Sequence, residues 1–146
     1  MGANNNKRYS RKEIKKIVED IGFVEDRVNG KTKGKGDHVV MSHSLCPGYQ
    51  INVPVRSDLP ENEMNRICAL VAIVIDALGL DKSRFKSKEG VEGKIRNSLK
   101  QLIKNPAVLF DRHTRNVLNL QDDNEVIEYI EKTKANIRKK RNNKNI

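Results

Sequence analysis

The chain has 146 residues and a formal net charge of +10, from 29 Lys and Arg against 19 Asp and Glu, with three Phe, three Tyr and no Trp. That length suits one ordinary domain or a small domain with an appendage, and a core built mainly from Ile, Val and Leu. It excludes a disulfide-stapled scaffold, since Cys46 and Cys68 have no framework or metal-ligand spacing, and a membrane span, since the longest apolar run, Ile67 to Leu80, contains Asp76 and falls short of roughly 20 residues.

The N-terminus is Asn- and Lys-rich with no apolar segment behind it, so no signal peptide is expected and the cytoplasm is the expected location. The charge is unevenly placed. Residues 1–81 hold 12 basic against 11 acidic side chains, and residues 82–146 hold 17 against 8. Such an excess favours a polyanion, nucleic acid above all, through counterion release. A solvated basic tail that serves only solubility has the same composition.

In chain order, residues 1–9 are polar and expected to be disordered. Ser10 and Glu13 form a capping box, and Ile14, Ile17, Val18 and Ile21 then recur at helical spacing up to Gly22. Residues 23–28 read as a strand ending at the turn Asn29-Gly30, residues 31–36 as a basic glycine-rich loop, and residues 37–43 as a second strand. A third strand spans residues 49–55, with Pro54 arguing for an edge. Ser57, Asp58 and Pro60 signal a helix entry. The helix from Glu61 is apolar on several sides from Met64 to Leu78 and stops at Gly79.

Residues 10–81 thus read as an α-β-β-β-α unit of the α+β class. Residues 82–138 read as a basic, mostly helical extension and residues 139–146 as a disordered basic tail. Within the extension, Val91 to Ile103 suits a helix stopping before Pro106. Residues 108–110 and 117–120 suit either a small hairpin or irregular helix, and Val126 to Ile137 a last helix.

The stretch with most chemical content is Gly34-Lys35-Gly36-Asp37-His38, leading through a strand to His43. A basic turn beside a positioned imidazole can hold a phosphodiester next to a group that moves protons near neutral pH. On residue type alone a histidine is more often structural or solvated than catalytic. His43 is equally well read as a strand-end cap, and His113 as a solvated loop residue. The spacing of Gly34 and Gly36 is no nucleotide fingerprint, because it precedes a strand rather than a helix.

The order of these residues resembles the HicA family of toxins from toxin–antitoxin systems. The likeness rests on a short helix ending in Gly22-Phe23, the Lys/Gly turn into Gly36-Asp37-His38, the hydrophobic strand ending in His43, Val53-Pro54, and a closing helix ending in Leu78-Gly79-Leu80. It covers about residues 10–81. It implies a double-stranded-RNA-binding-domain-like fold and a metal-independent endoribonuclease, an mRNA interferase, needing no cofactor and inhibited by a HicB-like antitoxin protein. His38 falls at the family's catalytic histidine. On the same likeness Lys31, Lys33 and Lys35, the amides of Gly34 and Gly36, Arg56 and His43 would bind the RNA. One departure is Asp37, where the family usually has Ser: a carboxylate there would favour the imidazolium of His38 or repel a phosphate.

Two other functions fit the same residues. One is a non-catalytic RNA-binding module of the same fold, which needs cations but no histidine. The other is a nucleic-acid- or ribosome-associated protein acting through residues 82–146. Self-association is open under all three readings.

Overall fold

Ser10 caps the first helix. Its hydroxyl accepts the Glu13 amide at 3.2 Å, and α1 (Arg11–Asp20) buries Ile14 and Val18. On its outer side Lys15 pairs with Glu19 and Lys16 with Asp20, each at 3.1 Å one turn on. The computed structural model describes residues 8–28, 31–32, 38–54 and 58–144.

Upstream of α1, Tyr9 is only 6% exposed, and β1 (Arg8–Tyr9) pairs antiparallel with β7 (Leu59–Pro60). The expected disorder of residues 1–9 therefore does not extend to residues 8 and 9, because an aromatic ring there has a core to enter. Residues 1–7 lie outside the described residues.

Downstream of α1 the chain turns at Gly22, with φ 114°, into β2 (Phe23–Glu25). This strand is shorter than the expected 23–28. From Arg27 the chain pairs locally instead, β3 (Arg27–Val28) with β4 (Lys31–Thr32), as flanks of an Asn-Gly turn tend to do. Asn29 and Gly30 themselves are outside the described residues.

The main sheet has three antiparallel strands in the order β2, β5 (His38–His43), β6 (Gln50–Pro54). Its register sets Phe23 opposite His43, Met41 opposite Ile51 and His38 opposite Pro54. Pro54 thus ends an edge strand, where a missing amide does least harm.

The long helix α2 (Glu61–Leu78) has Pro60 at its N-cap and ends on Gly79 in the left-handed conformation at φ 68°. Ser57 is outside the described residues, and Asp58 accepts the Arg11 amide at 3.2 Å rather than capping α2. Eleven of the 18 helix residues are buried. They pack against α3 (Gly90–Lys104), α4 (Arg112–Leu118) and α5 (Asp123–Lys144) as well as against β6.

Between α3 and α4 runs a single 3-10 turn, Pro106–Val108. The segment read as a hairpin or irregular helix is therefore helical. Asp111 decides this by accepting the Thr114 amide at 2.8 Å as the N-cap of α4. His113 sits half-buried in the first turn of that helix, not in a solvated loop.

Residues 139–144, expected in a disordered tail, continue α5. Arg138 Nε donates to the Ala77 carbonyl at 3.2 Å and Arg141 Nη1 to the Leu78 carbonyl at 2.9 Å. These are the carbonyls that the end of α2 leaves without helical partners, so part of the basic tail serves as a cap for another helix. One contiguous core runs from Tyr9 to Ile137. The extension is therefore packed on the long helix as part of the same body.

Asp76 locks this arrangement. Its carboxylate accepts Lys82 Nζ at 2.7 Å and meets Lys134 Nζ at 3.0 Å, joining α2 to the following segment and to α5. Burial pushes its carboxyl up, but the two ammonium groups outweigh this and hold it below the usual carboxylate range. A carboxyl depressed in the folded state adds stability at pH values above its unfolded pKa of about 4, and that contribution is lost as the pH falls through the folded value. Asp76→Asn is expected to cost about 2 kcal/mol at neutral pH in urea unfolding, a deficit that shrinks toward zero in strong acid. A deficit independent of pH would mean that shape rather than charge is at stake.

Both cysteines are buried, and burial pushes the Cys68 thiol up to about 12. No helix among the described residues is long and apolar enough to cross a membrane.

Candidate functional site

Side chains of a strand alternate between faces, so His38, Val40 and Ser42 share one face of β5, and Val39, Met41 and His43 the other. His38 is exposed at the first position of this central strand. The antiparallel ladder brings the entry to β5 and the exit from β6 to the same end of the sheet, because His38 lies opposite Pro54. Lys33, Gly34, Lys35, Gly36 and Arg56 belong to segments 33–37 and 55–57, which lie outside the described residues. Both segments join the sheet at the His38 end. Lys31 is in β4, opposite Val28.

Further along the His38 face, the Asp26 carboxylate accepts the Ser42 hydroxyl at 2.7 Å and the Gln50 side-chain amide at 2.8 Å. Both of its oxygens are thus engaged within the sheet. These three residues come from three different strand regions, and nothing in their sequence spacing marks them as a group.

His43 is placed differently from the expectation that it contacts RNA. It is 3% exposed, and its Nε2 lies 2.6 Å from the Ile21 carbonyl while its Nδ1 accepts the Leu45 amide at 3.0 Å. The proton is therefore on Nε2, which donates to Ile21. The ring also meets Phe23 edge-on, with centroids 5.3 Å apart and planes at 87°. A Cβ on Gly22 would come within 2.5 Å of Nε2, so the glycine is what lets the imidazole reach the α1–β2 turn. The physical reason for the correction is position along the strand: His38 stands at the exposed start of β5, whereas His43, five positions on, stands at the far end, where residues of both faces are buried. His43 presents neither ring nitrogen to a phosphate.

A larger polar cleft, with a volume of about 1020 Å³, opens where α1, α2 and α3 meet. Lys94 is at its centre. Its ammonium donates to Glu61 at 3.1 Å and to the Asn65 side-chain carbonyl at 2.6 Å, and stands 4.7 Å from the centre of the Tyr9 ring. Tyr9 in turn donates its hydroxyl to Glu61 at 2.9 Å, and Asn65 donates to Asp111 at 3.1 Å. Burial pushes the Asp111 carboxyl up, but its bonds from Thr114 and Asn65 hold it below the ordinary range. These interlocked bonds make the cleft a clamp between the two halves of the chain. Its members are 29 to 52 residues apart, beyond the reach of local pattern reading.

Among the described residues no group of three or more His, Cys, Asp and Glu side chains is arranged to hold a metal ion. Comparison with protein-family models, with curated proteins and with solved structures finds no match to the chain.

Proposed function

We propose that this chain is a toxin-like, metal-independent endoribonuclease of the HicA kind, with His38 as its general acid–base group. The observation that carries the reading is the position of His38. It is exposed at the first residue of the central strand, at the sheet end that segments 33–37 and 55–57 join. The succession α1, β2, β5, β6, α2 around an antiparallel three-stranded sheet supports a double-stranded-RNA-binding-domain-like core.

On this reading the RNA 2′-hydroxyl attacks the adjacent phosphorus. The bond to the 5′ oxygen breaks, leaving a 2′,3′-cyclic phosphate and a 5′-hydroxyl. His38 takes the proton from the nucleophile or delivers one to the leaving oxygen, a task worth on the order of 10²–10⁴-fold. RNA supplies its own nucleophile, so no metal-activated water is required. Lys31, Lys33, Lys35 and Arg56, with the amides of Gly34 and Gly36, would hold phosphates there and offset the charge that builds up on the phosphorane oxygens. A HicB-like antitoxin would act by covering this end of the sheet.

The test is incubation of the purified protein with mixed RNA in EDTA, wild type beside His38→Ala. Cleavage by the wild type alone, with cyclic-phosphate ends, is the expected result. RNA bound but intact with both proteins would replace this reading by a non-catalytic RNA-binding module.

A further inference from the structure

A second cationic feature lies away from the sheet, on α3 and the segment that leads into it. Lys82 and Lys86 of that segment, with Arg96 and Lys100 of α3, rim an open groove of about 420 Å³ whose floor is Phe85, Leu99 and Ile103. A second hollow of about 280 Å³ continues it, bordered again by Arg96 and Lys100 and extended by Lys88. Neither lining contains an acidic residue.

Two nearby carboxylates are bound by local amide and hydroxyl groups. Asp81 accepts the amide and hydroxyl of Ser83 at 2.9 and 2.6 Å. Glu92 accepts the amides of Lys86 and Ser87 at 2.9 and 2.7 Å, which fixes the backbone that carries Lys86 and Lys88. Lys82 is paired with Asp76. Lys86, Lys88, Arg96 and Lys100 form no ion pair with a described carboxylate. Gly93 lets the helix press against the segment, since a Cβ there would come within 2.5 Å of the Lys88 backbone.

Four cations thus border the two hollows with no carboxylate in either lining. Their mutual repulsion is relieved by a bound polyanion, and the released counterions add to the affinity. The cations run as a track through two adjoining hollows, which suits a polymer with a charge at each repeat better than a single small anion. The floor between them is apolar, and Ile103 is 63% exposed. That combination of a cationic rim and an apolar floor suits a single strand, with phosphates at the rim and base faces toward the floor.

We infer that this groove binds the backbone of a single RNA strand as a second contact, apart from the His38 end. That the strand is RNA rests on the function proposed above. Arg84 of the same segment donates to the Asp20 carbonyl at 3.3 Å, at the end of α1 that feeds into β2 beside His43. His38 is at the other end of β5, about 17 Å along the strand.

The test uses the full chain and a fluorescent, 2′-O-methylated oligoribonucleotide of about 12 nucleotides, which binds but cannot be cleaved. The triple variant Lys86→Gln, Arg96→Gln, Lys100→Gln is expected to bind at least about 10-fold more weakly at moderate salt. Its slope of log affinity against log salt should fall by about 2, from three lost phosphate contacts. A charge-preserving variant, Lys86→Arg, Arg96→Lys, Lys100→Arg, should bind like the wild type. Unchanged affinity and slope in the Gln variant would overturn the proposal, as would equal loss in the charge-preserving one. A DNA strand of the same sequence bound equally well would overturn the assignment to RNA. Lack of cleavage in the EDTA assay with groove binding intact would instead remove the proposed activity and leave the groove standing.

Discussion

A chain cut after Asp81 is expected to show no cooperative unfolding transition. The cut would leave the α-β-β-β-α elements intact but strip one side of α2. Val91, Ile95, Leu99, Leu102, Val126, Ile130 and Ile137 are all buried in the same core as α2. Fully burying one such side chain is worth about 1.5–3 kcal/mol, and a whole domain is stable by only about 5–15 kcal/mol. Losing seven of them, and exposing the α2 surface they cover, exceeds that margin. The same cut removes Lys82, Lys134, Arg138 and Arg141, so Asp76 loses both of its partners and the last carbonyls of α2 lose their caps. Urea titration followed by far-ultraviolet circular dichroism, with dye binding to exposed apolar surface, provides the readout. A sharp transition and no dye binding by the fragment would show that residues 8–81 hold a core of their own.

The two histidines of β5 are expected to respond in opposite ways to truncation. His43→Ala leaves the Ile21 carbonyl and the Leu45 amide without their buried partner, each at a cost of about 1–3 kcal/mol, and it opens a cavity against Phe23. A total near 3 kcal/mol is expected, about 10 °C in the midpoint of thermal unfolding. Gly22→Ala should act in the same direction, through the clash with Nε2 and the strain of φ 114°. His38→Ala, at an exposed strand end, is expected to stay within about 0.5 kcal/mol of the wild type. Its effect should appear instead in metal-free RNA cleavage, as a loss of about 10²–10⁴-fold. Thermal unfolding and cleavage of both variants decide the matter. A His43→Ala protein as stable as the wild type, or a His38→Ala protein destabilised to a similar degree, would mean that the roles of the two rings are misassigned.

Elements whose signals are local were legible in the chain. Ser10 and Glu13 announce α1, Gly79 ends α2, and the alternation from Val39 to His43 gives β5, because caps, left-handed glycines and strand periodicity act over a few residues. Of the two readings open for residues 108–110 and 117–120, the structure takes the helical one, because Asp111 caps α4. The last stretch of α5 was not legible at all. Arg138 to Arg141 look like a solvated basic run until the end of α2 is placed beside them.

By itself, then, the sequence determined the order of α1, the three main-sheet strands and α2, the apolar character of that helix and the presence of a histidine at the start of the central strand. Only the tertiary structure decided that His43 faces inward while His38 faces out, and that the C-terminal half shares one core with the N-terminal half. It also decided which cations are engaged as caps and ion pairs and which line a groove. The physical reason is range. Backbone preference is written within a turn or a strand, whereas burial and charge pairing depend on partners tens of residues away, such as Ile21 with His43, Glu61 with Lys94 and Leu78 with Arg141.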